Sequence, residues 1–161
     1  NTIGNLLNRT SSMSRKWFDN KVPNYEKISS DNKLGDYSQI AVKNYIYNFD
    51  IYKLDLAANE VLSLAINTNL YLNDNQPWML IKDKDNLPFV KEIIYNVLES
   101  TRIIGLLLLP LLPELSSKIN EQLGSIYRDD ISWEQQLKWG LLTSNSSLPK
   151  PSPIINKLEY E

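Results

Sequence analysis

The residues best suited to ligand chemistry lie in the stretch LAINTNLYLNDNQPWMLIK, residues 64–82. An amide at Asn69 and a phenol at Tyr71 lie near the end of a run with helical spacing, and Pro77-Trp78 follows a short polar turn. Proline fixes its own φ and biases the residue before it towards an extended conformation, so Trp78 should be held at the start of the next element. Such a tryptophan, followed by the cation of Lys82, can serve as a stacking platform for a planar ligand. The alternative is that Trp78 is simply a large core residue.

The first segment, TIGNLLNRTSSMSRKWF, has the pattern of an amphipathic helix. At about 100° per residue, four polar side chains fall in a wedge of about 120° to 180°; they are Asn5, Arg9, Ser12 and Lys16. The opposite face collects Ile3, Leu6, Leu7, Thr10, Met13, Trp17 and Phe18. An amide can donate to and accept from a base edge, and a guanidinium suits base edges, phosphate and stacking. The polar wedge is therefore either a recognition surface or an ordinary solvated helix face.

Both segments resemble the anticodon-binding domain of methionyl-tRNA synthetases. In that family, the Trp of the Pro-Trp pair stacks against an anticodon base, which corresponds here to Trp78. The Asn and Arg of its Asn-Leu-x-x-Arg pattern contact the anticodon loop, and they fall on Asn5 and Arg9. The resemblance therefore implies Asn5, Arg9 and Trp78 as anticodon-binding residues. Lys16 and Lys82 are further candidates for contacts with the tRNA backbone.

The composition is that of one domain with a sizeable core, since the chain has 161 residues of which 42% are hydrophobic. A net charge of −2 gives no overall basic footprint and argues mildly against nucleic acid. Locally the balance differs, because Arg9, Arg15 and Lys16 all precede the first acid at Asp19. A protein that reads a few unstacked loop bases also needs less phosphate neutralisation than a duplex binder.

The absence of cysteine excludes disulfides and Cys zinc sites and favours a cytosolic protein. We therefore expect a cytoplasmic location. No signal peptide opens the chain, and since it begins inside a predicted helix, we expect a fragment of a longer protein. The most apolar window, residues 103–112, is too short to cross a bilayer, so no membrane partner is expected.

No segment shows sustained alternation, so the elements are predicted to be helices. After a first helix over residues 1–18, a loop over residues 21–36 is predicted, then helices over residues 37–48 and from a turn at 49–50 to about 72. A long helix is expected after Asp85 or Asn86 as the cap, with Pro88 in its first turn. Pro110 should stop or kink it, and a helix should run from Pro113 to Gly124. The predicted fold is an all-α helix bundle.

The final third resembles the same family and refines this fold to the class I aminoacyl-tRNA synthetase anticodon-binding type. VLESTRIIGLLLLPLLPELSSKINEQLG resembles its Leu-rich helix, Pro-x-x-Pro bend and closing helix, and WEQQLKWGLLTSNSSLPKPSPIINKLE resembles its carboxyl-terminal extension. We expect a bundle over residues 1–124 and an extension over residues 125–161 that packs back on the bundle or on a catalytic domain. Pro149, Pro151 and Pro153 predict an extended tail over residues 144–161. The family's Leu-Phe-Pro-Arg-like sequence is replaced there by Ile154-Ile155-Asn156-Lys157.

The chain lacks the catalytic signatures of a class I synthetase. It contains no histidine, which excludes a His-Ile-Gly-His-type motif, and Ser12-Met13-Ser14-Arg15 lacks the leading lysine of a Lys-Met-Ser-Lys-Ser loop. Its five glycines are scattered and form no phosphate-cradling loop, and no His or Cys anchors a metal cluster. We therefore predict no catalytic residue, no metal site and no cofactor in this chain.

The resemblance implies recognition of the CAU anticodon of methionine-specific tRNA by one domain of a methionine–tRNA ligase. The parent enzyme would use ATP with magnesium to activate methionine and charge tRNA, and its N-terminal catalytic domain would be this domain's partner within the same chain. One alternative is the corresponding domain of a leucine, isoleucine, valine or cysteine synthetase. Another is a freestanding helical protein-interaction module.

Overall fold

A computed structural model describes residues 2–150, and this part of the chain is helical. It contains α1 (Thr2–Trp17), α2 (Lys33–Asp50), α3 (Leu54–Asn75), α4 (Pro77–Leu80), a 3-10 turn (Lys84–Asn86), α5 (Leu87–Leu108), α6 (Pro113–Leu123) and α7 (Trp133–Gln136). The only β pairing among the described residues is an isolated antiparallel bridge between Lys21 and Ser147. The predicted all-α bundle is confirmed.

Helix α5 forms the centre of the bundle. Every residue from 92 to 108 is buried, and α1, α2, α3, α4 and α6 all pack against this helix. The predicted apolar stripe of α5 explains only part of this burial, because polar groups such as Glu92, Glu99 and Arg102 are buried as well. Those groups have partners within the protein, as a buried charge requires.

Helix α1 presents the faces that its sequence predicts. Leu6, Leu7 and Thr10 are fully buried, and the remaining members of the apolar face pack, half-buried, against the core. On the opposite side Asn5 is exposed and Arg9 is half-buried. Because α1 packs against both α3 and α5, the polar side of α1 lies next to the carboxyl-terminal half of α3.

Two local predictions, the start of α2 and the cap of α5, differ from the structure because of capping. Helix α2 begins at Lys33 instead of residue 37, since the Asn32 side chain accepts a hydrogen bond from the Gly35 N–H at 3.1 Å and opens the helix early. The side chains of Asp85 and Asn86 do not cap α5. Asp83 instead caps the short 3-10 turn before it, with its carboxylate accepting from the Asp85 N–H.

The segment after α6 packs on the same core as the helices. Helix α6 ends where Gly124 adopts a left-handed φ of 79°, as predicted. Beyond it, four side chains are buried in the main cluster; they are Ile126, Leu137, Leu142 and Leu148. The four-residue helix α7 was not predicted; its capping box joins Ser132 and Gln135.

A buried ion pair holds this segment against α5. The Glu99 carboxylate accepts two hydrogen bonds from the Arg102 guanidinium, at 2.7 and 2.8 Å, and three from the backbone N–H groups of residues 140–142. Arg102 in turn donates to the carbonyl oxygens of Gln136 and Lys138. Residues 146–150 follow without helix, and the rest of the predicted extended tail, with Pro151 and Pro153, lies outside the described residues.

Candidate nucleic-acid interface

Trp78 is positioned by the abrupt end of α3. The helix stops where Gln76 takes a left-handed conformation, with φ 45° and ψ 57°, and donates its N–H to the Leu72 carbonyl at 3.2 Å. The prediction of an extended Gln76 is therefore wrong, because the helix cap overrides the bias imposed by Pro77. Pro77 is buried and opens the short helix α4, which places Trp78 in its first turn.

The Trp78 ring is half-buried, so it is neither an ordinary core residue nor a free surface side chain. It packs against a small apolar cluster, separate from the main core, whose fully buried members include Leu6, Leu72 and Val97. This packing fixes the ring in place while leaving part of it at the surface. A ring held in this way is suited to stacking with a planar ligand.

Arg9 reaches this ring from α1. Its Cζ atom lies 5.5 Å from the centroid of the Trp78 ring, within the range of a cation–π contact. The Arg9 Nη2 atom also donates a hydrogen bond of 3.0 Å to the Asn73 Oδ1 atom on α3. Side chains of α1, α3 and α4 therefore meet at one point, which brings together two of the predicted site residues.

A groove between α1 and α3 begins at this point. It has a volume of about 560 Å³ and is lined by Thr2, Asn5, Asn8, Arg9, Ile66, Asn69, Leu70 and Asn73. Four of these eight residues are asparagines, and no carboxylate stands among them. Amides offer both donors and acceptors, so the groove suits the polar edge of a heterocycle better than a metal ion or a polyanion.

The hydrogen bonds inside the groove determine which of its groups face a ligand. The Asn69 Nδ2 atom donates to the carbonyl oxygens of Thr2 and Ala65, both at 3.3 Å, which leaves its Oδ1 atom as an acceptor. The Asn8 Oδ1 atom is buried and has no hydrogen-bond partner in the structure. Leu70 is 51% exposed and gives the groove an apolar wall. The groove thus combines the Asn69 amide acceptor with apolar contact area.

The two lysines lie at the margin of this surface. Lys16 is exposed on α1, two turns beyond Arg9 and on the same face of the helix. Lys82 is exposed just after α4, and its Nζ atom lies 3.6 Å from the Met79 Sδ atom. Neither joins the meeting point of Arg9, Asn73 and Trp78.

Sequence reasoning missed Asn73, Asn8, Ile66 and Leu70. Asn73 follows Asn69 by four residues, which places both amides on one face of α3 and is the signal that could have identified it. Tyr71 points to another side of the same helix, where its hydroxyl oxygen accepts a hydrogen bond from Asn96 Nδ2 at 3.1 Å. Burial raises the pKa of the Tyr71 phenol.

Across residues 2–150 no group of three or more acidic, His or Cys side chains is arranged to hold a metal ion. Over the same residues, no helix is both long and apolar enough to span a bilayer.

Comparison with known proteins gives consistent matches. Residues 22–160 match the family model described as the anticodon binding domain of methionyl tRNA ligase. Over its whole length the chain is 33% identical to part of the methionine–tRNA ligase of Listeria monocytogenes serotype 4b, and it covers 25% of that protein. It is also 33% identical to the methionine–tRNA ligase of Thermosynechococcus vestitus, with 98% of this chain and 31% of that protein covered. The chain thus spans about a quarter to a third of the length of these relatives.

A solved structure shows the same architecture. The apo form of Mycobacterium tuberculosis methionyl-tRNA synthetase superimposes with a TM-score of 0.89 at 27% sequence identity, covering 100% of this chain and 32% of that one. The same enzyme in complex with methionyl-adenylate gives a TM-score of 0.86, with 96% of this chain covered.

Proposed function

Because the chain belongs to the family of methionyl-tRNA ligase anticodon-binding domains, we propose that it recognises the CAU anticodon loop of methionine-specific tRNA through Asn5, Arg9 and Trp78. The observation that carries the proposal is the meeting of Arg9 and Trp78, from different helices, at one end of an amide-lined groove. The family model begins at residue 22, so the roles of Asn5 and Arg9 rest on this geometry and on their own motif.

Each of the three residues has a distinct role in this proposal. Trp78 stacks on an unpaired base, a contact worth about 1–3 kcal/mol. Asn5, which is exposed in the groove, offers a donor and an acceptor to a base edge. Arg9 supplies only donors, so it pairs with acceptor atoms of a base. Lys16 and Lys82 contribute contacts to the RNA backbone.

The remaining assignments concern a longer ligase. We place methionine activation with ATP and magnesium, and the charging of tRNA, in a catalytic domain on the amino-terminal side of this one. The described residues do not fit either cofactor, because they contain no metal-binding cluster and the chain contains no glycine-rich phosphate loop. A cytoplasmic location and the division into residues 1–124 and 125–161 belong to the same proposal.

The test is a binding titration of the 161-residue chain with a short RNA hairpin whose loop carries CAU. Matched hairpins replace one anticodon base at a time. The proposal expects every replacement to weaken binding by about fivefold or more, since one mismatched contact costs about 1–3 kcal/mol. Equal affinity for all hairpins would refute sequence-specific recognition by this domain.

A further inference from the structure

The guanidinium of Arg9 lies over the half-buried Trp78 ring. The guanidinium carbon lies 5.5 Å from the ring centroid, and the Asn73 side chain anchors the guanidinium through a 3.0 Å hydrogen bond. The stacking surface of the proposed site is therefore occupied when no RNA is present.

The ring also packs against the protein interior. Trp78 packs against the apolar cluster that contains Leu6, Leu72 and Val97, and these three side chains are fully buried. A base that stacks flat on the ring must use the side that faces away from the cluster. A base that stacks on the side of the ring overlain by Arg9 takes the place of the guanidinium.

We propose that Arg9 and Asn73 form a self-capping contact on Trp78 that must open before a base can stack there. The proposal rests on the anticodon-binding function proposed above and adds a step to it. Asn73 acts as a positioning residue, because it touches Arg9 and holds the closed arrangement. Opening breaks the hydrogen bond to Asn73 and the contact with the ring.

The contact between Arg9 and Trp78 also affects which base the proposed site prefers. Once Arg9 leaves the ring, its guanidinium carries five N–H donors and no acceptor. A base edge with adjacent acceptor atoms compensates for the lost contacts, whereas an edge that offers mainly donors leaves the cation unpaired. The exchange of Arg9 between ring and ligand therefore favours bases that present acceptors towards α1.

Two substitutions at Asn73 test this contact in opposite directions. Asn73→Ala removes the acceptor and loosens the cap, while Asn73→Asp replaces it with a carboxylate that holds the guanidinium more tightly. Asn73 is exposed, so both variants should fold, and melting curves establish this. For the CAU hairpin we expect binding that is about three- to tenfold tighter with Asn73→Ala and about three- to tenfold weaker with Asn73→Asp, the change expected for one exposed charge-assisted hydrogen bond.

Asn59 provides the matched control. It is exposed on α3, and its position on the helical wheel is close to that of Asn73, about 20 Å further from the cap along the helix. Asn59→Ala should leave binding unchanged, and Asn59→Asp measures the general effect of one added negative charge. The loss with Asn73→Asp must exceed that effect.

The outcomes separate this proposal from the function on which it rests. Weaker or unchanged binding by Asn73→Ala would overturn the cap, because Asn73 would then hold Arg9 in its binding geometry or have no effect on it. If Trp78→Ala weakens binding in the same assay, the proposed function stands while the cap fails. If Trp78→Ala binds like the unmodified chain, Trp78 does not stack on RNA and both proposals are wrong.

Discussion

Replacing Trp78 with alanine should reduce both stability and RNA binding, by amounts that can be separated. Replacing a fully buried tryptophan with alanine lowers the free energy of unfolding by about 3–5 kcal/mol. Trp78 is half-buried and contacts a small cluster outside the main core, so we expect about 1.5–3 kcal/mol. For a domain of this size, that loss corresponds to a fall in melting temperature of about 3–12 °C.

The effect on binding has a different origin. Loss of one stacked base removes about 1–3 kcal/mol, or roughly a 5- to 150-fold increase in Kd for a CAU hairpin. Measured well below the melting temperature, this increase cannot come from unfolding, since a domain that is still stable by a few kcal/mol is almost entirely folded. Trp78→Phe should retain part of the stacking and give an intermediate Kd.

Trp133→Ala is the matched control for Trp78→Ala. Trp133 is also half-buried and packs against Tyr45, with ring centroids 6.1 Å apart, but it belongs to α7 and does not line the groove. Trp133→Ala should lower the melting temperature without changing the Kd for the CAU hairpin. A large fall in melting temperature for Trp78→Ala, with an unaltered Kd at low temperature, would show that Trp78 is only a structural residue.

Two further predictions concern the scaffold. Glu99→Gln leaves the Arg102 guanidinium buried without its counter-ion. The free energy of unfolding should therefore fall by about 3–5 kcal/mol. A melting temperature lowered by less than about 6 °C in calorimetry would contradict this prediction. Burial raises the pKa of Tyr45 to about 12, whereas an unfolded tyrosine ionises near pH 10. The unfolded chain therefore loses this proton first, and Tyr45 should lower the free energy of unfolding between pH 10 and 12 by at most about 1.4 kcal/mol per pH unit. Tyr45→Phe should reduce the slope measured in urea titrations by this contribution, and an unchanged slope would contradict the assignment.

Much of the fold could be predicted from the sequence because its helices carry local signals. The apolar stripe of α5, Pro113 at the start of α6 and Gly124 at its end all lie where the structure has them. The start of α2 was missed because its cap, Asn32, stands within a polar stretch that also has the composition of a loop. Helix α7 has only four residues, which is too short for any hydrophobic period to appear.

The predicted site depended on residue types, and the structure added their relative positions. Asn5, Arg9 and Trp78 were predicted from the family resemblance of their motifs, yet nothing local indicates that Arg9 lies over the Trp78 ring. That contact depends on how α1 crosses α3, which the packing of both helices on α5 determines. Asn73 was missed for the same reason, because its importance comes from a partner 64 positions away in the chain.

The lining of the groove, which contains no acidic residue, is compatible with the RNA binding proposed for this acidic chain. The net charge is −2, but none of the eight groove residues is acidic, and the only charge among them is Arg9. Phosphate contacts strengthen binding to any sequence equally, whereas stacking and amide hydrogen bonds depend on which base is presented. Under the proposed function, a surface with four asparagines, one guanidinium and one tryptophan beside it would gain most of its binding energy from base contacts. Because charge would supply little of the binding free energy, an incorrect base would have few other contacts to stabilise it.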